Sequence, residues 1–246
     1  MIKTGYAAWV DEFEAAKARR AALGDPDWRS GAQLPPELVR SIQKFQVGED
    51  GDGSALLAKA DRAGDPVYAA AARLFVAEEQ NHARMLALLL AAAGAVVLDG
   101  HWSDAAFVRV RRLLGLRVEL LVLMVAEVVA LTYYRALRDG ATDPSAREVA
   151  GRILADEQRH VPFHCLRLHE GLARLPRPAR RAVTAGWRGL VGCAGLLVAV
   201  DHGAALRTLG TRRRSFVAEV FRSSAPMASA MADGPAHAPA AVPVAV

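Results

Sequence analysis

Apolar residues recur three and four positions apart along most of the chain, and turn signals between them are sparse, which predicts an all-α protein of long helices. A first amphipathic helix is expected over Tyr6–Leu23, stopped by Gly24-Asp25-Pro26. Residues 27–34 read as a loop, and Pro35-Pro36 opens a second helix expected to reach about residue 63. Gly64-Asp65-Pro66 ends it and starts the next, with Asp65 as N-cap and Pro66 at the first helical position. That helix runs to about residue 93, and a crossing stretch follows to 102. Ser103 or Asp104 is expected to cap a very apolar helix to about 137, and the run from Asp139 to Pro144 stops it and starts another to about 172. Beyond Pro176 and Pro178 a last long helix is expected to about 209, then a short basic one over 212–222. From 223 the chain turns to Ala, Pro and Ser without periodicity and is expected to be disordered. The segments are therefore 1–34, a helix and loop; 35–172, a helical bundle; 173–222, added helices; and 223–246, a tail.

Composition changes this picture little. Of 246 residues, 52 % are apolar and 23 % charged, which excludes a disordered chain or a fibre. The formal charge of +5 is carried almost wholly by arginine, with one dense cluster at Arg212-Arg213-Arg214. No aromatic-interleaved or helix-turn-helix pattern accompanies it, so a solvated basic face and no nucleic-acid partner are expected, with weak contact to an anionic membrane surface or an acidic partner protein as the alternatives. Cys165 and Cys193 make no disulfide framework, the first ten residues show no secretory leader, and a cytoplasmic location is expected. The apolar run over 189–200 is too short for a bilayer, which needs about 20 residues, so no transmembrane segment is expected.

One segment breaks the ordinary pattern. Residues 120–134 are apolar nearly all round except for Glu127, and a carboxylate there is expensive unless something pairs with it or coordinates it. Two Glu-x-x-His motifs follow the same logic, Glu79–His82 and Glu157–His160. With 12 glutamates and 7 histidines in the chain, chance supplies about 0.3 such pairs, so one alone carries little. Each, however, is preceded by a glutamate 30 residues earlier, Glu49 and Glu127. All matched positions lie 78 residues apart, including Asp65-Pro66 and Asp143-Pro144, as in two inexact copies of one helical hairpin. Gly64 and Thr142, the midpoints of the two Glu–Glu pairs, fall in the expected turns, so each pair stands level across its hairpin. Two such hairpins packed together converge four carboxylates and two imidazoles. Four glutamates could not all stay ionised in an apolar core, whereas two divalent cations neutralise them, and an oxygen-rich set with one imidazole per ion suits iron or manganese better than zinc.

This pattern of Glu, Glu-x-x-His, Glu, Glu-x-x-His resembles the ferritin-like di-iron carboxylate proteins over residues 35–172. The resemblance implies a four-helix bundle of two antiparallel hairpins, with an extra N-terminal helix and one or two extra C-terminal ones. It implies Glu79 and Glu157 as bridging ligands, Glu49 and Glu127 as terminal ligands, and His82 and His160 on one ion each. Glu78 and Asp156, again 78 apart, would each orient the imidazole of the other motif helix. Without paired CxxC motifs a rubrerythrin-like reductase is disfavoured, and the added helices fit a storage cage poorly. What remains resembles the oxygen-activating branch, with its desaturases and oxygenases. The expected activity is therefore O2-dependent oxidation of a small apolar molecule at two iron ions, with an external electron donor and a homodimer as the further partners. The alternatives are a ferroxidase serving iron detoxification and a scaffold stapled by metal.

Weaker candidates surround the ligands. His164 and Tyr134 share the faces of His160 and Glu127 and are the candidate pocket or catalytic residues, although a hydrogen-bonded core histidine and a buried tyrosine with a partner are the more ordinary readings. Cys165 is expected to pack, and His202 beside Asp201 to be structural or exposed. Gly53, four residues after Glu49 on a continuous helix, is expected to leave a gap beside the metals. The stretch over 50–61 departs from a calcium loop at its sixth position, Ala55, and lacks the closing glutamate.

Overall fold

The computed structural model describes residues 5–100 and 115–234, and all regular structure among them is helical. The helices are α1 (Tyr6–Leu23), α2 (Pro36–Glu49), α3 (Ser54–Arg62), α4 (Pro66–Ala92), α5 (Leu116–Gly140), α6 (Pro144–Leu172), α7 (Arg177–Asp201), α8 (Gly203–Thr208) and α9 (Arg213–Asp233), with a single 3-10 turn at Trp28–Ser30. The expected start of the long apolar helix at 103 or 104 lies outside the described residues.

The caps fall where the sequence places them. Asp65 Oδ1 accepts from the backbone N–H groups of Val67 and Tyr68 at 3.1 and 2.9 Å, and Pro66 follows at the first helical position. Asp143 repeats the device, its Oδ1 accepting from Ala146 N–H at 2.8 Å, and its Oδ2 takes a second bond from Gln33 N–H at 2.7 Å.

Three boundaries differ from expectation. The helix expected over 35–63 is broken between Glu49 and Ser54. Asp52 Oδ1 accepts from both the backbone and the hydroxyl of Ser54, and Gly53 takes a left-handed conformation at φ +65°. A short polar side chain that bonds its neighbours' backbone competes with the helical ladder, and the two glycines beside it weaken that ladder further. The helix expected to reach 209 divides at His202, a buried residue. The basic helix expected to end at 222 runs instead to Asp233, and Ser224, Met227, Ala228 and Met231 are buried in it. Ala-rich composition signalled a tail because it lacks periodicity, yet small side chains are what close packing against another helix needs. Residues 235–246 lie outside the described residues.

The chain divides into two compact units. The first takes the described residues up to Glu119 together with Asp143–Val149. Its centre is α4, which α1, α2 and α3 contact. Tyr68, Phe75, Met85, Leu86 and Leu89 on α4 are all but inaccessible, and the Tyr6 ring of α1 meets Tyr68 edge-on at 5.0 Å between centroids. Lys59 and Glu119 form an ion pair at 2.6 Å with the carboxylate fully buried. The second unit takes Leu120–Thr142 and the described residues from Ala150 on. In it α9 lies along α7, where an added Cβ at Gly195 would stand 3.0 Å from Val220, and Trp187 donates its indole N–H to the Leu121 carbonyl at 2.9 Å.

Candidate metal centre

Each unit carries one group of three potential ligands. In the first, Glu49 ends α2 at 9 % exposure, while Glu79 and His82 stand one turn apart on α4, the imidazole wholly buried. Ligand atoms of Glu49, Glu79 and His82 all lie within 4.8 Å of one another, and His82 Nδ1 is 3.5 Å from Glu79 Oε1. In the second, Glu127 lies mid-way along α5 and Glu157 and His160 one turn apart on α6, all three buried. Their ligand atoms also fall within 4.8 Å, with His160 Nδ1 3.5 Å from Glu157 Oε2 and 3.7 Å from Glu127 Oε2.

The donor set fits a divalent cation. Separations of 3.5–3.7 Å are too long for an N–H···O bond, which prefers 2.7–3.2 Å. They stand close to the spacing of two donors on one ion: at about 2.1 Å from a metal, neighbouring ligands are about 3.0–3.4 Å apart. Carboxylate oxygen and imidazole nitrogen without thiolate is the chemistry iron and manganese accept. All six residues named from the sequence are thus found in two compact triplets, three to each.

Glu78 and Asp156 are buried as well, and each meets an arginine: Glu78 accepts from Arg20 of α1, and Asp156 from Arg159 one turn further along α6. Arg20 is 58 residues from its partner and carries no motif, so no signal in the sequence points to it. His164 is fully buried, and burial first, then the neighbouring His160, pushes its imidazole down to about 3, with Glu157 opposing. At neutral pH it is therefore an uncharged ring, packed 5.0 Å from Phe163. Tyr134 is fully buried with its ring edge-on to Tyr133 at 5.5 Å, and Tyr133 in turn lies 5.9 Å from the buried His202. Cys165 is buried, and burial raises its thiol to about 12, so it packs.

The gap expected at Gly53 is absent. The position is not on a helical ligand face, and a Cβ built there would stand 2.5 Å from Val76 Cγ1. The close approach of this turn to α4, together with the positive φ, is what requires glycine. One further feature went unread in the sequence: α6 continues through Pro162, between His160 and His164. Proline has no N–H, so the Gln158 carbonyl lacks its usual donor four residues on.

No family model, curated protein or solved structure matches the chain, and the reading of the site rests on its own residues.

Proposed function

We propose that the chain is a ferritin-like protein whose two Glu, Glu-x-x-His triplets together hold two divalent metal ions, iron in preference to manganese, and that it oxidises a small apolar organic molecule with O2. The carrying observation is the clustering of two equivalent ligand triplets, each with an O,O,N donor set and a wholly buried imidazole, at positions 78 residues apart. Carboxylates and imidazoles are removed from water at a cost that ordinary folding does not recover unless a cation neutralises them. In this reading Glu79 and Glu157 would be ligands shared by the ions, Glu49 and Glu127 would be terminal ligands, and His82 and His160 would each serve one ion. Bound iron would supply the one-electron steps that O2 reduction requires, drawing on an external donor.

The chain's own residues set the conditions for that chemistry. Leu123, Met124 and Leu131 surround Glu127 on α5, Phe75 and Val76 flank Glu79 on α4, and all five are buried. Walls of this kind keep water from the ligands and admit a narrow apolar substrate more readily than a hydrated ion. The neutral His164 adds a polar atom pair without adding charge. Glu78 and Asp156, each anchored by an arginine, are suited to orient the ligand imidazoles. The filled position at Gly53 favours one rival, in which the metals brace the helices and no turnover occurs.

Anaerobic ferrous titration followed by O2 tests both readings. The proposal expects two irons per chain, an optical change when O2 is admitted, and an oxidised organic product with a suitable substrate. Failure to bind two ions overturns it. Two ions with no reaction towards O2 or any substrate favours the brace, and tens of iron atoms per chain favours storage.

A further inference from the structure

Helix α2 buries a polar group to which the fold gives no partner. Its buried residues are Leu38, Ser41, Ile42, Gln46 and Glu49, a stripe at helical spacing on a helix that packs on α4. Gln46 is 4 % exposed, and its Oε1 meets no hydrogen-bond donor among the described residues. A carboxamide oxygen taken out of water without a donor costs stability, so its retention calls for a reason. The helix itself supplies none: the backbone carbonyl of Gln46 accepts from Asp50 N–H at 3.0 Å and makes no use of the side chain.

Its position does supply one. Gln46 stands three residues before the ligand Glu49, as Glu79 stands three before His82. On α4 that spacing brings Glu79 Oε1 to 3.5 Å from His82 Nδ1, because residues three apart share a helix face. The same spacing on α2 sets the Gln46 carboxamide beside the Glu49 carboxylate. A carboxamide oxygen is a hard donor of the kind that oxygen-preferring divalent ions accept. We infer that Gln46 Oε1 is a further donor to the ion held by Glu49, Glu79 and His82, an inference that rests on the two-metal reading above. Being neutral, it adds an oxygen and leaves the balance of charge as it was. The second repeat has no equivalent. Met124 stands 78 residues on, fully buried, and its thioether suits soft ions such as copper(I) rather than iron or manganese. The two ions are therefore unequal: the first has one protein donor more, and the second keeps one more position for an exchangeable ligand.

Manganese(II) titration of the metal-free full chain, read from the electron paramagnetic resonance signal of the free ion, tests it. The wild type is expected to take two ions with affinities about tenfold or more apart, since even outer partners of a metal ligand command about 10–100-fold. Gln46→Met, which gives α2 the residue of the matched position, should weaken the tighter ion by about tenfold or more and leave the other within about twofold. Gln46→Glu, which keeps an oxygen at the same reach, should hold the tighter ion at least as well as the wild type. Without metal, Gln46→Met should melt no lower than the wild type, because it removes a buried oxygen that has no donor. Two ions of equal affinity, an unchanged tighter ion in Gln46→Met, or a Gln46→Glu variant as weak as Gln46→Met overturns the inference and leaves the two-metal reading standing. A metal-free Gln46→Met protein that melts well below the wild type also overturns it, by giving the side chain a task in the fold. Fewer than two ions on the wild type overturns the two-metal reading, and this inference with it.

Discussion

Replacing Glu127 by leucine should stabilise the metal-free protein while damaging its metal binding. The carboxylate is 3 % exposed, and Leu123, Val128 and Leu131 around it are buried too, so a leucine of similar volume fits an apolar wall. Two electrostatic terms nearly cancel in the substitution. Releasing a buried carboxylate from its desolvation returns several kcal/mol. Losing its electrostatic contact with the His160 imidazole at 3.7 Å takes back a similar amount. What is left is the burial of the leucine side chain, about 1.5–3 kcal/mol. For a chain of this size each kcal/mol moves the midpoint by about 2–4 °C, so the metal-free variant should melt about 3–12 °C above the wild type. Manganese, redox-silent and held at about a hundred times the wild-type Kd, should add about 2.7 kcal/mol to the wild type. A variant a hundredfold weaker would gain about 0.4 kcal/mol, so the metal-induced shift shrinks from about 5–11 °C to about 1 °C. Thermal melts by circular dichroism, with chelator and with manganese, read both effects. A metal-free variant less stable than the wild type by more than about 1 kcal/mol would show that Glu127 serves the fold, and an unchanged manganese shift would remove it from the ligand set.

Three further outcomes check the packing. Gly140→Ala should cost about 3 kcal/mol and lower the melting midpoint by about 6–12 °C, because its Cβ would stand 2.3 Å from the Leu209 backbone oxygen; Gly151→Ala, with only ordinary contact to Arg138 at 3.7 Å, should instead gain about 0.5–1 kcal/mol, and equal melts for the two would refute the close approach of α5 to α8. Lys59→Met should cost about 3–5 kcal/mol by leaving the buried Glu119 without its ammonium, and the double variant with Glu119→Leu should recover most of it in urea titrations; a single variant within 1 kcal/mol of wild type would mean the pair contributes nothing. In thiol titration only Cys193 should label before unfolding, since burial holds the Cys165 thiol near 12, and two labelled thiols in the native protein would place Cys165 wrongly.

Legibility in the sequence followed the physics of each signal. Asp65-Pro66 and Asp143-Pro144 announced their helix starts because a cap and a preset φ act locally, whatever the rest of the chain does. The six ligand positions were readable for a different reason: a repeat of 78 residues with a carboxylate at every matched position is a long-range pattern written directly in residue types. The turn after Glu49 reads as helix in the sequence because Gly53 stands at a helical spacing from Glu49, and the bonds of Asp52 to Ser54 with the close approach of Gly53 to Val76 decide against that. Helix α9 was cut short because Ser224 to Met231 has no pattern until a neighbouring helix supplies one. The pairing of Arg20 with Glu78 could not be read at all, since both residues look like solvated surface until α1 is laid on α4.

Each repeat carries its own Glu, Glu-x-x-His triplet, and that bears on how such a chain arises. A single hairpin carrying Glu, Glu-x-x-His needs only a twin to supply the second triplet, so two identical short chains offer the same donor set as one long one. Joining the copies end to end frees each from having to serve both places. Asp143 shows what that freedom allows: while its counterpart Asp65 spends one oxygen on capping its helix, Asp143 caps with one oxygen and with the other grips Gln33, in the loop ahead of the first copy. His164 stands where the first copy has Leu86, another position at which the two copies differ in chemistry.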